Sequence, residues 1–190
     1  MKKWLYGGLA AALTLLFVSK KKGVEMPPVF FRGGLPTSKR TKPIQYIVVH
    51  HSATTSAEST YNVLKKKDLS THFEVDQSGK VWQYADPATE TAWHAGPWNG
   101  RGIGIDLTGP INGQFTEAQK ATLAQLIRAL AAKFNIPLNM QPWGYSAALD
   151  PDTFKGIVAH ANTKATKPDP SYTATTGDGA LWNEMKARLA

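Results

Sequence analysis

Between Ile44 and Val49 the chain is almost continuously apolar and rich in β-branched residues, the pattern of a strand buried on both faces, and the run ends on His50. Farther on, Phe73-Glu74-Val75-Asp76 alternates, Gln77-Ser78-Gly79-Lys80 has turn composition, and Val81-Trp82-Gln83-Tyr84 alternates again, which predicts a hairpin. Ile103 to Leu107 and Gly156 to Ala159 predict two further strands, the second leading into His160. Helical spacing takes over after Thr116-Glu117-Ala118-Gln119, a capping-box sequence followed by Leu123, Leu126, Ile127, Leu130 and Phe134 on one face. A weaker helix is predicted from Glu58 to Lys67, ending near Asp68. A short amphipathic helix at the C-terminus carries Leu181, Trp182, Met185 and Leu189 on one side. Strands interspersed with helices, without internal repeats, predict a mixed α/β domain.

Before residue 43 the pattern changes. Lys2-Lys3 precede an uncharged run from Trp4 to Val18, which has the form of an export signal. At about 1.5 Å per residue this run covers roughly 22 Å of a ~30 Å hydrocarbon layer. Ser19-Lys20-Lys21-Lys22 follows without a small-x-small cleavage site. Residues 1–22 are therefore expected to form a signal or membrane-anchor helix, placing the protein outside the cytoplasm or at a membrane. Pro27-Pro28, Gly33-Gly34 and Pro36 predict a basic linker over residues 23–42, leaving residues 43–190 as the folded domain.

The length of 190 residues suits one domain, and the absence of cysteine excludes disulfides, thiolate metal ligands and a cysteine nucleophile. The formal net charge is +8, yet nine basic residues and one acidic residue fall within residues 1–42, so the remainder is neutral. No basic face for tracking phosphates is expected, which argues against nucleic acid as a partner.

Without cysteine, any metal must rest on His, Asp or Glu. His50, His160 and Asp169 form such a set: two neutral imidazoles and a carboxylate can hold catalytic zinc, leaving a fourth position for a water whose pKa falls to about 7. Each residue also has a plainer explanation. A histidine closing an apolar strand often only hydrogen-bonds at its edge, and Asp169, between two prolines, sits in a stiff loop that a turn alone explains. His50 and His51 point to opposite faces of an extended chain, so one of them at most enters a given site. Spacing leaves the metal and the structural readings both open.

Taken in order, five segments resemble the motifs of zinc N-acetylmuramoyl-L-alanine amidases. They are Val-Val-His50-His51-Ser-Ala-Thr54; Thr71-His72-Phe73 with Asp76-Gln-Ser-Gly79-Lys-Val81; Ala92-Trp93-His94-Ala95-Gly96; Ile103-Gly104-Ile105-Asp106-Leu107; and His160 with Lys167-Pro-Asp169-Pro. The resemblance is to the amidase-2 group, which includes phage lysozyme-like amidases and peptidoglycan recognition proteins, and it covers roughly residues 43 to 170. It implies a single α/β domain with a central mixed β-sheet flanked by helices and zinc at one end of a substrate groove. The implied reaction is hydrolysis of the amide between the lactyl group of N-acetylmuramic acid and L-alanine of the peptidoglycan stem peptide.

By position the resemblance implies His50, His160 and Asp169 as zinc ligands and Lys167 as the oxyanion partner. Asp106 stands where bacterial relatives carry a proton-transferring glutamate, one methylene longer, and Thr71 stands where phage relatives often carry a tyrosine. Asp106 is therefore the expected general base and acid. Thr71, His72, Trp93, His94, Trp98 and Asn99 are expected along the groove. A monomer acting in the bacterial envelope or for a phage is expected, with the membrane reached through the N-terminal helix. The alternative is a peptidoglycan-binding module of the same fold with weak or no catalysis.

Overall fold

A computed structural model of the protein describes residues 24–109, 114–171 and 179–190. The expected N-terminal hydrophobic helix lies outside the described residues, and among those described no helix is long and apolar enough to cross a membrane.

The strands are β1 (Val29–Phe31), β2 (Thr37–Lys39), β3 (Tyr46–His51), β4 (Phe73–Val75), β5 (Val81–Gln83), β6 (Glu90–Ala92), β7 (Gly102–Leu107) and β8 (Gly156–Ala159). The helices are α1 (Ala57–Lys66), α2 (Glu117–Phe134), α3 (His160–Thr163) and α4 (Ala180–Leu189). Six strands form one mixed sheet in the order β1-β5-β4-β7-β3-β8, and β2 pairs with β6 in a small antiparallel sheet. The expected strands, hairpin and three helices are present. The continuous apolar pattern before His50 arises because β3 lies between β7 and β8, parallel to both, and is covered on both faces.

Alternation along these strands sorts the two faces. Ile47, Val49, Phe73, Val75, Ile103, Ile105, Leu107, Ile157 and Ala159 pack with α2 and α4 in the main core, which includes Leu123, Leu126, Ile127, Leu130, Leu181, Trp182 and Met185. Tyr46, Val48 and Val158 face the other way, against Trp98, with Leu149 and Phe154 beside them. Side chains two apart share a face, so His50 falls with Tyr46 and Val48, away from α2. Asp106 and Glu74, each between core residues, fall on that face too.

Thr116 caps α2, its hydroxyl accepting from the Gln119 amide at 3.1 Å. The reciprocal half of the expected capping box is absent. The Gln119 side chain instead donates to the Val75 and Thr108 carbonyls at 2.8 and 2.7 Å, tying α2 to the sheet.

The segment expected as a linker is built into the fold. β1 adds to β5 in parallel and β2 pairs with β6, while Leu35 is buried with Tyr61 and Tyr84. The Arg40 guanidinium donates to the Pro87, Glu90, Gly100 and Gly102 carbonyls. Three-residue strands carry no periodicity, and their partners lie some fifty residues downstream, so proline and glycine dominate the local signal.

Candidate metal centre and catalytic pocket

The sheet register assembles the site. Glu74 on β4 pairs with Asp106 on β7, and Asp106 pairs with His50 on β3. On the other side of β3, Val49 pairs with Ala159, the last residue of β8, so the next residues, His50 and His160, become neighbours. Four parallel strands therefore end in a row of polar side chains on one face, where the core pattern stops.

The His50 and His160 rings are 4.4 Å apart between centroids, edge to face. Asp169 returns to them after α3, its carbonyl accepting from the Ala161 amide at 2.8 Å. Its Oδ2 lies 3.1 Å from His160 Nδ1, 3.8 Å from His50 Nδ1, and accepts from the His51 amide at 3.3 Å. One ligand atom from each of His50, His160 and Asp169 falls within 4.8 Å of the others. Tetrahedral ligands at about 2.0–2.2 Å from a zinc ion stand roughly 3.4 Å apart, so the two Asp169 separations bracket what zinc requires. The donor set, two imidazoles and a carboxylate without thiolate, also suits zinc.

Burial holds His50 well below the ordinary histidine range, and the neighbouring His160, His94 and Lys167 add to this. It is thus neutral, the form that ligates. Asp106 is pushed well above the usual carboxylate range, first by burial, then by the charges of Glu74 and Asp169. Its carboxyl lines the pocket and has no hydrogen-bond partner among the described residues. Glu74, fully buried one strand away, is raised to about 7 because burial outweighs the hydroxyls of Thr108, Thr60 and Tyr84 that bond to it.

A pocket of about 180 Å³ opens over the Asp106, His50 and His160 part of this row. His50, His160 and Asp169 lie in it with Asp106, Lys167, Trp93 and His94, which brings seven of the expected site residues together. Trp93 is 38% exposed, with its amide and carbonyl clamped by Ser70. The facing wall comes from α1 and the residues after it: Thr60, Val63, Leu64, Lys67 and Leu69. Sequence reasoning did not single out this wall. In the folded chain Val63 and Leu69 of this wall stay 39% and 40% exposed.

Four expected groove residues do not line the pocket. Thr71 is buried, its hydroxyl donating to the Phe73 carbonyl at 3.3 Å. His72 is buried and spends both ring nitrogens: Nδ1 accepts from the Gly104 amide at 3.0 Å, so Nε2 carries the proton and donates to the Glu90 carbonyl at 3.1 Å. Burial and the Arg40 charge bring His72 down to about 3. Trp98 packs between Tyr46 and Phe154, its carbonyl accepting from the Tyr46 hydroxyl at 3.1 Å. Asn99 accepts from the His94 and Ala95 amides at 3.0 and 2.6 Å and so shapes the loop that carries His94. His51, on the opposite face of β3 from His50, bonds the Gly109 carbonyl at 2.6 Å and packs on Phe115.

The sequence pattern of the N-acetylmuramoyl-L-alanine amidase family matches residues 40–172. N-acetylmuramoyl-L-alanine amidase XlyA of Bacillus subtilis (strain 168) is 38% identical over 111 residues, 53% of this chain and 36% of that protein. The chain thus aligns with about a third of the length of that relative. Among solved structures, the endolysin amidase LysCS from Clostridium intestinale URNW superposes with a TM-score of 0.62 at 21% identity, covering 88% of this chain and 98% of that one. An AmpD derivative superposes with a TM-score of 0.60 at 19% identity, covering 84% and 94%. The hydrolase AmiA of Staphylococcus aureus, solved with its ligand, gives 0.62 at 13% identity, covering 87% and 84%. At these identities the structural likeness is one of fold.

Proposed function

The chain belongs to the N-acetylmuramoyl-L-alanine amidase family, and from that premise we propose that it hydrolyses the amide joining the lactyl group of N-acetylmuramic acid to L-alanine in peptidoglycan. The observation that carries the proposal is the convergence of His50, His160 and Asp169 beside Asp106 and Lys167 in one pocket. His50, His160 and Asp169 would hold Zn2+, which supplies a water acidic enough to act as nucleophile near pH 7.

The chain's own residues do the rest. Asp106 takes the proton released on attack and returns it to the leaving nitrogen, without which an amide does not part. Its carboxyl, without a hydrogen-bond partner among the described residues, and its raised proton affinity suit a group that must both accept and give. Lys167, an exposed cation at the pocket edge, faces the oxygen that becomes negative; losing one such donor costs about 2–4 kcal/mol of barrier. Trp93 offers an indole face to sugar or peptide, with Val63 and Leu69 opposite as an apolar wall.

All these groups come from one chain, so a monomer suffices. Cell-wall action matches the family, and the Lys2-Lys3 and Trp4–Val18 run supports delivery to or across a membrane for an envelope or phage role. The intact ligand triad weighs against a binding module without catalysis. The test is to incubate the full-length protein with peptidoglycan, with and without a chelator, and assay new L-alanine amino termini. They are expected only with zinc present; their absence under zinc-replete conditions rules out the proposal.

A further inference from the structure

The ring of His94 lies against β7 where Gly104 has no side chain. A Cβ at Gly104 would come within 2.8 Å of that ring, so the glycine is a seat for it. With its loop shaped by Asn99, His94 presents Nδ1 at 2.9 Å from His50 Nε2, the two rings nearly perpendicular at 87°. This is the one hydrogen bond of the His94 ring among the described residues, and its Nε2 is buried without a partner.

Two imidazoles joined by one N–H···N bond have two arrangements. Either His50 donates from Nε2 and keeps a lone pair on Nδ1, or His94 donates and the His50 proton sits on Nδ1. His50 Nδ1 is the atom that faces Asp169 Oδ2. Only the first arrangement leaves it able to ligate, because a nitrogen carrying a proton has no lone pair to give.

We propose that His94 is a positioning residue for the metal centre: seated on Gly104, it accepts the Nε2 proton of His50 and so holds the Nδ1 lone pair of His50 toward His160 and Asp169. The proposal rests on the zinc reading of the triad. It also accounts for the Ala-Trp-His-Ala-Gly and Ile-Gly-Ile-Asp segments as parts of one device, since one supplies the ring and the other the space beneath it.

The test is zinc affinity of the full-length protein by competition with a chromophoric chelator, together with the 15N shifts of the His50 ring. His94→Leu fills the volume and accepts no proton, whereas His94→Asn places Oδ1 where Nδ1 stood and still accepts it. His94→Leu is expected to weaken zinc binding by about 10- to 100-fold, the range for loss of a partner behind a ligand, with His94→Asn recovering most of it. Gly104→Ala should weaken zinc by displacing the ring. In the wild type, His50 should carry its proton on Nε2 before any metal is added, a reading that needs no variant to fold. Equal zinc affinity in wild type and folded His94→Leu, equal losses in the Leu and Asn variants, or a proton on His50 Nδ1 would each overturn the proposal. A wild type that binds no zinc contradicts the metal reading itself and the proposal with it.

Discussion

His50 and His72 are both buried histidines at sheet strands, and both stand in motifs of the same resemblance, yet their ring nitrogens are bonded in opposite ways. His72 finds a protein partner for each nitrogen, a backbone amide on one side and a carbonyl on the other. Among the described residues His50 has a hydrogen-bond partner for Nε2 alone, while Nδ1 faces Asp169 at 3.8 Å, too far for a hydrogen bond and near enough for a shared cation. On the zinc reading, what sets a ligand apart is an open hydrogen-bonding position at a point where another imidazole and a carboxylate converge. Burial does not separate the two, and neither does sequence position.

The comparison can be broken most forcefully from the ligand side. His160→Ala should abolish both zinc binding and amide cleavage while leaving the fold intact, measured by metal content and product analysis on the same preparation. Next, Asp106→Ala should keep zinc and lose about 10²- to 10⁴-fold in kcat, the usual contribution of a positioned proton carrier; full activity in this variant would remove Asp106 from the mechanism.

Glu74 sharpens the contrast because it shares the polar row without reaching the pocket. Its carboxyl is raised to about 7 in the folded chain from an ordinary 4.5. The folded state therefore holds the proton more tightly than the unfolded one, and stability is full below about 4.5 and declines as pH rises toward and through 7. Relative to Glu74→Gln, the wild type should lose up to about 3 kcal/mol between pH 4.5 and 8, read from denaturant unfolding across that range. Parallel stability curves would place the charge of Glu74 elsewhere. The smallest effect is expected at His72: His72→Leu should cost about 1–3 kcal/mol of stability by orphaning the Gly104 amide, with zinc affinity unchanged. A change in zinc affinity there would erase the distinction between the two histidines.

Much of this was legible in the residues. The apolar run before His50, the hairpin around Gly79 and the helix after Thr116 follow from local periodicity, and each forms within a residue or two of where the pattern puts it. The triad and Lys167 were reached through ordered motifs, and the register of β3 with β7 and β8 explains why residues so distant meet. The strands at residues 29–31 and 37–39 were illegible because their stabilising partners are long-range and their local composition mimics a linker. Arg40 was missed with them, although its four carbonyl acceptors anchor the loops behind His72. The groove assignments of Thr71, His72, Trp98 and Asn99 went astray for a related reason: adjacency to a site residue in sequence says nothing about which way a side chain faces. Trp93 and Trp98, five residues apart in one loop, end in the pocket and in the core respectively.

The central claim is that His50, His160 and Asp169, and no other histidines, form the metal centre. X-ray absorption at the zinc edge on stoichiometrically loaded full-length protein tests it directly, with His160→Ala as control. The account predicts scattering from two imidazoles with oxygen in the remaining positions, and loss of bound zinc in the control. A third imidazole in the coordination sphere, or an unchanged spectrum in His160→Ala, would contradict it.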